Sequence, residues 1–288
     1  MPDTGSTPGA SQGHPDGVAS GLGRGFGHGH PALITYLMAG YPDRKTCLAS
    51  LRVAASRGAD VIELGVPYAD PLADGPVIVA AAEAARAAAP GGFGLAETIA
   101  VAAEFLADPG VAEPPPVALM TYLNPMLRYG FEKLAAAAAG AGVSGVIVPD
   151  MPPDNPMAVG WLRAAESRGI DTVFLVAPTS TAGRIETVVE ASRGFIYVVS
   201  SLGVTGERSE LPAELAELVA RVKAARPKSE GAAVPVAVGF GVSRPEQAAR
   251  VAAMADGVIV GSAIVRRQDA PDDLAVFLGR LADAVHRV

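Results

Sequence analysis

Hydrophobic and polar positions alternate in this chain on the scale of whole elements rather than single residues. Near-continuous runs rich in Val, Ile and Leu occupy 33–39, 60–65, 117–121, 145–148, 171–176, 195–200, 234–238 and 257–260. They lack the polar-out alternation of a sheet with one wet face. They therefore read as strands covered on both faces, which is the mark of parallel pairing. Between them, apolar positions at helical spacing predict helices over 44–57, 77–89, 95–107, 125–139, 155–168, 181–192, 212–225 and 244–254, with a last amphipathic helix over 271–286. Eight strand–helix units in about 250 residues predict a single closed (β/α)₈ barrel, a TIM barrel. The competing architecture, an open doubly wound sheet, places its glycine-rich turn after the first strand, whereas here such turns follow the late strands.

The pattern begins only near residue 31. Residues 1–30 are rich in Gly, Pro, Ser and His and hold few large apolar side chains, so we expect a disordered tail followed by one domain over 31–288. The formal net charge of −7 argues against nucleic acid or an anionic membrane as the main partner. A single cysteine, Cys47, excludes an internal disulfide framework and fits a reducing cytoplasm. No apolar run approaches the roughly 20 residues of a membrane span, and the N-terminus lacks the apolar core of a signal peptide. The histidines at 14, 28, 30 and 286 all lie outside the strands. Proton transfer then falls to carboxylates or tyrosines, and His28-Gly29-His30 reads as tail composition rather than a metal grip.

The stretch 61–76, VIELGVPYADPLADGP, concentrates the chemistry. It sets Glu63 inside an apolar strand, where an unpaired carboxylate is costly, and leaves through a Pro- and Gly-constrained loop to Asp74. Barrel chemistry sits on the loops after the strands, which is where both carboxylates fall. Glu63, partly desolvated, is expected to have its pKa raised toward neutrality and to move protons. Asp74 is expected to stay ionised and to hold a partial positive charge or an N–H. Asp70 reads as a turn cap, and Asp150 as a cap for the helix after strand four. Two glycine turns, 239–243 (GFGVS) and 261–265 (GSAIV), follow strands seven and eight, where barrels often bind phosphate. The loop 203–208, GVTGER, has the makings of a lid, with Thr205 able to reach a catalytic carboxylate. Tyr197 either directs its hydroxyl at the substrate or fills the barrel. Cys47 and Trp161 read as packing residues.

Together with Tyr122-Leu123-Asn124-Pro125 and Val148-Pro149-Asp150, these motifs resemble the tryptophan synthase alpha chain family, in the family's order and over roughly 31–288. The resemblance implies a lyase of tryptophan biosynthesis. Its barrel splits indole-3-glycerol phosphate into indole and glyceraldehyde 3-phosphate, with Glu63 as general acid/base and Asp74 as second catalytic carboxylate. It implies substrate contacts from Tyr197, phosphate contacts from Gly206, Gly241, Gly261 and Ser262, a closing lid at Thr205, and an indole pocket lined by Tyr36 and Met120. It also implies a beta-chain partner in an α₂β₂ heterotetramer. Pyridoxal phosphate (PLP) would belong to that partner, with no cofactor in this chain. The loop between Glu63 and Asp74 is expected to touch the partner. The long head, the segment 227–231 and the Ser201-Leu202 pair depart from the family pattern.

Overall fold

The computed structural model describes residues 21–199, 214–226, 233–239 and 241–288. Nine parallel strands form one sheet: β1 (Ala32–Met38), β2 (Val61–Gly65), β3 (Val117–Met120), β4 (Gly145–Ile147), β5 (Asp171–Val173), β6 (Leu175–Val176), β7 (Ile196–Val199), β8 (Val236–Gly239) and β9 (Gly257–Val260). Their order is β5-β4-β3-β2-β1-β9-β8-β7-β6. β5 and β6 are one passage of chain interrupted at Phe174. The Tyr197 N–H donates to the Phe174 carbonyl at 3.0 Å, so hydrogen bonding carries across the break. Eight passages therefore close a TIM barrel, as the apolar runs predict.

Each strand is apolar on both sides because each side meets a different core. Ile34, Tyr36, Met38, Ala118, Met120 and Tyr197 belong to the cluster inside the barrel. Leu33, Leu37, Ile62, Leu64 and Leu119 belong to the larger cluster beneath the helices, with Cys47 and Trp161 buried in it as packing residues. Period-2 geometry thus sorts an unbroken apolar run into two cores.

The helices are α1 (Arg44–Ser56), α2 (Pro76–Ala88), α3 (Leu95–Leu106), α4 (Leu123–Tyr129), α5 (Phe131–Gly140), α6 (Ala158–Glu166), α7 (Ala182–Ala191), α8 (Leu215–Ala224), α9 (Pro245–Ala252), α10 (Ser262–Val265) and α11 (Pro271–His286). The stretch expected as one helix over 125–139 is two, broken at Gly130. Its φ of 88° lies in a region that costs other residues strain, and it ends α4 while starting α5. Asp150 also caps differently from expectation. Its Oδ1 accepts the Leu123 N–H at 2.8 Å, so it caps the preceding α4 rather than the helix that follows.

The largest departure concerns the head. Residues 21–26 form a 3₁₀-helix against the N-terminal end of the barrel, with Leu22 fully buried in the inner core, so the folded part begins well before residue 31. The Leu22 N–H donates to Asp171 Oδ2 at 2.7 Å. Glycine here permits close packing instead of disorder. A Cβ at Gly25 would sit 2.4 Å from Val61 Cγ2 and 2.5 Å from the Asp60 carbonyl, closer than real side chains come. Composition reads such glycines as loose chain because it cannot see the surface they press against.

Candidate active site

Parallel register at the C-terminal ends of the strands assembles the site. Tyr36 on β1 lies opposite Glu63 on β2, which lies opposite Ala118 on β3. Glu63 points into the inner core and is 2% exposed, and its Oε2 has no hydrogen-bond partner among the described residues. Burial and then the Asp74 charge raise its pKa from 4.5 to about 8. At neutral pH it rests as the carboxylic acid, further from its ordinary value than the sequence alone suggests.

Asp74 reaches the same space from the loop between β2 and α2. The loop is shaped by a turn in which the Asp74 N–H donates to the Pro71 carbonyl at 3.1 Å, and Pro76 then starts α2 at a position that needs no N–H. Asp74 is 8% exposed, more buried than a loop carboxylate is expected to be. Desolvation raises its pKa to about 6, against a hydrogen bond from the Tyr122 hydroxyl that lowers it. Asp74 Oδ1 has no partner among the described residues. Asp74 is still mainly ionised at pH 7, but less firmly than expected.

Tyr122 was legible only as part of a strand-end turn. Its hydroxyl donates to Asp74 and accepts the Ala73 N–H at 3.2 Å, so it fixes both the loop and the carboxylate. Two glycines make room for the other tyrosines. A Cβ at Gly65 would lie 2.1 Å from the Tyr36 hydroxyl, and one at Gly239 would lie 2.4 Å from that of Tyr197. Both tyrosines are buried, and burial, followed by the Glu63 and Asp74 charges, holds their pKa values well above 10. That both feel both carboxylates places all four groups around one space. Met120, at the end of β3, adds a buried apolar wall.

A third orphan, Thr121 Oγ1, lies just past the end of β3. The described residues hold three buried side-chain oxygens or nitrogens without partners, and all three fall at this end of β2 and β3. Across the mouth, Gly241 follows β8 with a φ of 83°, and Gly261 with the nearly buried Ser262 begins the single-turn α10 after β9. Thr205 and Gly206 lie outside the described residues, as do Ser201, Leu202 and residues 227–231.

Behind the site, Gln268, wholly buried, locks the end of β1. Its Oε1 accepts the Met38 N–H at 2.9 Å, while its Nε2 donates to the carbonyls of Met38 at 2.7 Å and Tyr41 at 2.9 Å. Nothing in the local sequence pattern marks that residue, because its partners are more than 200 positions away.

The family model of the tryptophan synthase alpha chain matches residues 26–284. The chain is 43% identical over 266 residues to the tryptophan synthase alpha chain of Acidothermus cellulolyticus, covering 92% of this chain and 94% of that one. It is 46% identical over 234 residues to that of Mycobacterium tuberculosis, covering 81% of each. A solved structure of Mycobacterium tuberculosis tryptophan synthase matches with a TM-score of 0.81 at 42% identity, over 93% of this chain and 99% of that one. A mutant alpha subunit from Pyrococcus furiosus matches at 0.76 and 34% identity, over 88% of this chain and 98% of that one. In sequence, in fold and in the order of its strand-end motifs, the chain belongs to the tryptophan synthase alpha chain family.

Proposed function

We propose that the barrel cleaves indole-3-glycerol phosphate into indole and glyceraldehyde 3-phosphate, with Glu63 moving the protons and Asp74 holding the indole nitrogen. Membership of the family makes the chain a lyase of tryptophan biosynthesis. The observation that carries the residue assignment is the pair of oxygens, Glu63 Oε2 and Asp74 Oδ1, that are buried at one mouth without a partner among the described residues. Such atoms are costly unless a ligand completes them.

The resting protonation states suit the reaction. Glu63, as the acid, gives its proton to C3 of the indole ring. The ring becomes a cation whose N–H donates to the Asp74 carboxylate, which stabilises the charge where it develops. Glu63, now ionised, takes the proton from the hydroxyl on the carbon bonded to C3. The bond between C3 and that carbon breaks, its electron pair returns to the ring, and the hydroxyl carbon becomes the aldehyde of glyceraldehyde 3-phosphate. Glu63 ends protonated, as it began. Tyr36 and Tyr197, held neutral by burial, remain hydrogen-bond donors, and Met120 and the inner apolar wall exclude water and pack the ring. Gly206, Gly241, Gly261 and Ser262 supply the phosphate contacts, with Thr205 in the closing lid.

The loop from Val66 to Gly75 ends at the same carboxylate and leaves Leu72 73% exposed. It is the surface we assign to a beta chain that carries PLP and receives the indole, in an α₂β₂ complex in the cytoplasm. No helix among the described residues is long and apolar enough to cross a membrane. Glu63→Gln keeps the volume and removes the proton. It is expected to lower indole release about 10³-fold while the thermal transition and the binding of glycerol phosphate persist. Turnover within a few-fold of the parent would overturn the assignment.

A further inference from the structure

The far end of the barrel holds a second cluster that the lyase reaction does not use. His30 lies just before β1, Asp60 just before β2, and His286 is the last residue of α11. One donor atom from each lies within 4.8 Å of the other two. His286 Nε2 is 2.8 Å from Asp60 Oδ2, and the rings of His30 and His286 lie 4.0 Å apart between centroids. We propose that His30, Asp60 and His286 bind a divalent transition-metal cation of the zinc class, clamping the head and the tail of the barrel to its floor.

One imidazole already has the tautomer a metal takes, while His286, whose Nε2–H donates to Asp60 at 2.8 Å, gives up that hydrogen on loading. His30 Nδ1 lies 3.0 Å from the Pro31 carbonyl. A carbonyl only accepts, so Nδ1 carries the hydrogen and Nε2 keeps the lone pair that a metal would take. Asp60 Oδ2 is fixed by the Leu33 N–H at 2.7 Å, so the carboxylate cannot swing away. Gly58, with a φ of 88°, turns the chain beneath His286, where a Cβ would come within 3.3 Å of the ring. Two imidazoles and a carboxylate suit zinc and its neighbours and suit magnesium or calcium poorly. A tetrahedral ion sets its donors ~3.4 Å apart, so the 2.8 Å contact between His286 and Asp60 opens on loading, and no edge of the cluster, all within 4.8 Å, has far to move. All three side chains are partly exposed, and the hollow beside His30 is open, so water takes the fourth position. Arg226 lines that hollow, but its charge is answered by Asp256 at 3.1 Å.

The site joins positions 30, 60 and 286, so occupancy should stabilise the folded chain without touching the catalytic mouth. The test uses the full chain without a histidine tag, stripped by chelator and titrated with zinc chloride by calorimetry. Thermal unfolding and indole release are followed in parallel, and cobalt(II) absorption serves as an independent reading of the ligands. One zinc per chain is expected, with a rise of several degrees in Tm and unchanged indole release. His286→Gln keeps a donor for Asp60, and His30→Phe keeps a stacked ring, so both should fold. Each should weaken zinc binding at least about tenfold and abolish the Tm rise. The absence of stoichiometric zinc uptake by the parent would overturn the proposal. Unchanged binding in both variants would do the same, because it moves the ion to His14 and His28.

Discussion

The two ends of this barrel handle their carboxylates in opposite ways. At the N-terminal floor, Asp171 accepts the Leu22 N–H, Asp60 accepts the Leu33 N–H, and Asp256 accepts the Val236 N–H at 2.9 Å while pairing with Lys223 and Arg226. Each ties the start of one chain passage to another. At the mouth, Glu63 and Asp74 each keep an oxygen that no described residue meets. A shifted pKa alone does not separate the ends, since desolvation raises Asp171 to about 6, the same value as Asp74. What separates them is whether an oxygen is left buried without a partner among the described residues, as in Glu63 and Asp74 but not in Asp171. The floor carboxylates tie chain passages together, and on the proposed function the mouth carboxylates wait for a substrate.

The sharpest way to break that contrast is to remove one carboxylate from each end. Asp74→Asn keeps the loop's shape and loses the negative charge. It should lower kcat/KM by about 10²–10³-fold with little change in Tm. Asp171→Ala strands the Leu22 N–H and opens space beneath the 3₁₀-helix. It should cost about 1–3 kcal/mol of stability, read as a lower Tm, with kcat per folded molecule unchanged. If Asp171→Ala impairs turnover of the folded enzyme as Asp74→Asn does, the two ends are not functionally distinct.

This division of labour was only half legible in the sequence. The strands at 60–65 and 257–260 announce themselves because double-sided burial leaves a local apolar signature, and Glu63 stands out against that background. The floor was misread at Gly21 and Gly25, whose role depends on the proximity of Asp171 and Val61 across the fold. Gln268 and Tyr122 were missed for the same reason, since each is defined by partners that the chain brings together only on closing. His30 and His286 stand at opposite ends of the sequence, and only barrel closure makes them neighbours. Local pattern finds what burial dictates residue by residue, and it cannot find what long-range hydrogen bonds decide.

The two mouth carboxylates should also be visible as limbs of the pH profile. On the proposed mechanism the working form has Asp74 ionised and Glu63 protonated. kcat/KM should therefore rise up to about 6, stay near its maximum around neutrality, and fall about tenfold per unit above about 8. The two titrations are coupled, so the limbs belong to the pair. Stability carries the same sign. Glu63 has a folded pKa raised above its ordinary 4.5, so its protonation favours the fold fully below that value and is lost as pH rises through about 8. Glu63→Gln, neutral throughout, should gain in Tm over the parent by more at pH 8 than at pH 5. An equal difference at both pH values would mean that Glu63 is not held protonated in the folded chain.

The smallest expected effect isolates how the mouth is held. Tyr122→Phe keeps the ring that lies 5.4 Å from Tyr68 and deletes the hydroxyl that serves both Ala73 and Asp74. That hydroxyl lowers the Asp74 pKa, so its loss leaves desolvation unopposed. The ascending limb of kcat/KM should then move to higher pH, with a fall of up to about tenfold below pH 6 that narrows to about twofold near neutrality. A purely structural role would lower turnover equally across the profile and leave the limb in place. In that case Tyr122 anchors the loop through Ala73 alone, and Asp74 keeps its charge by other means.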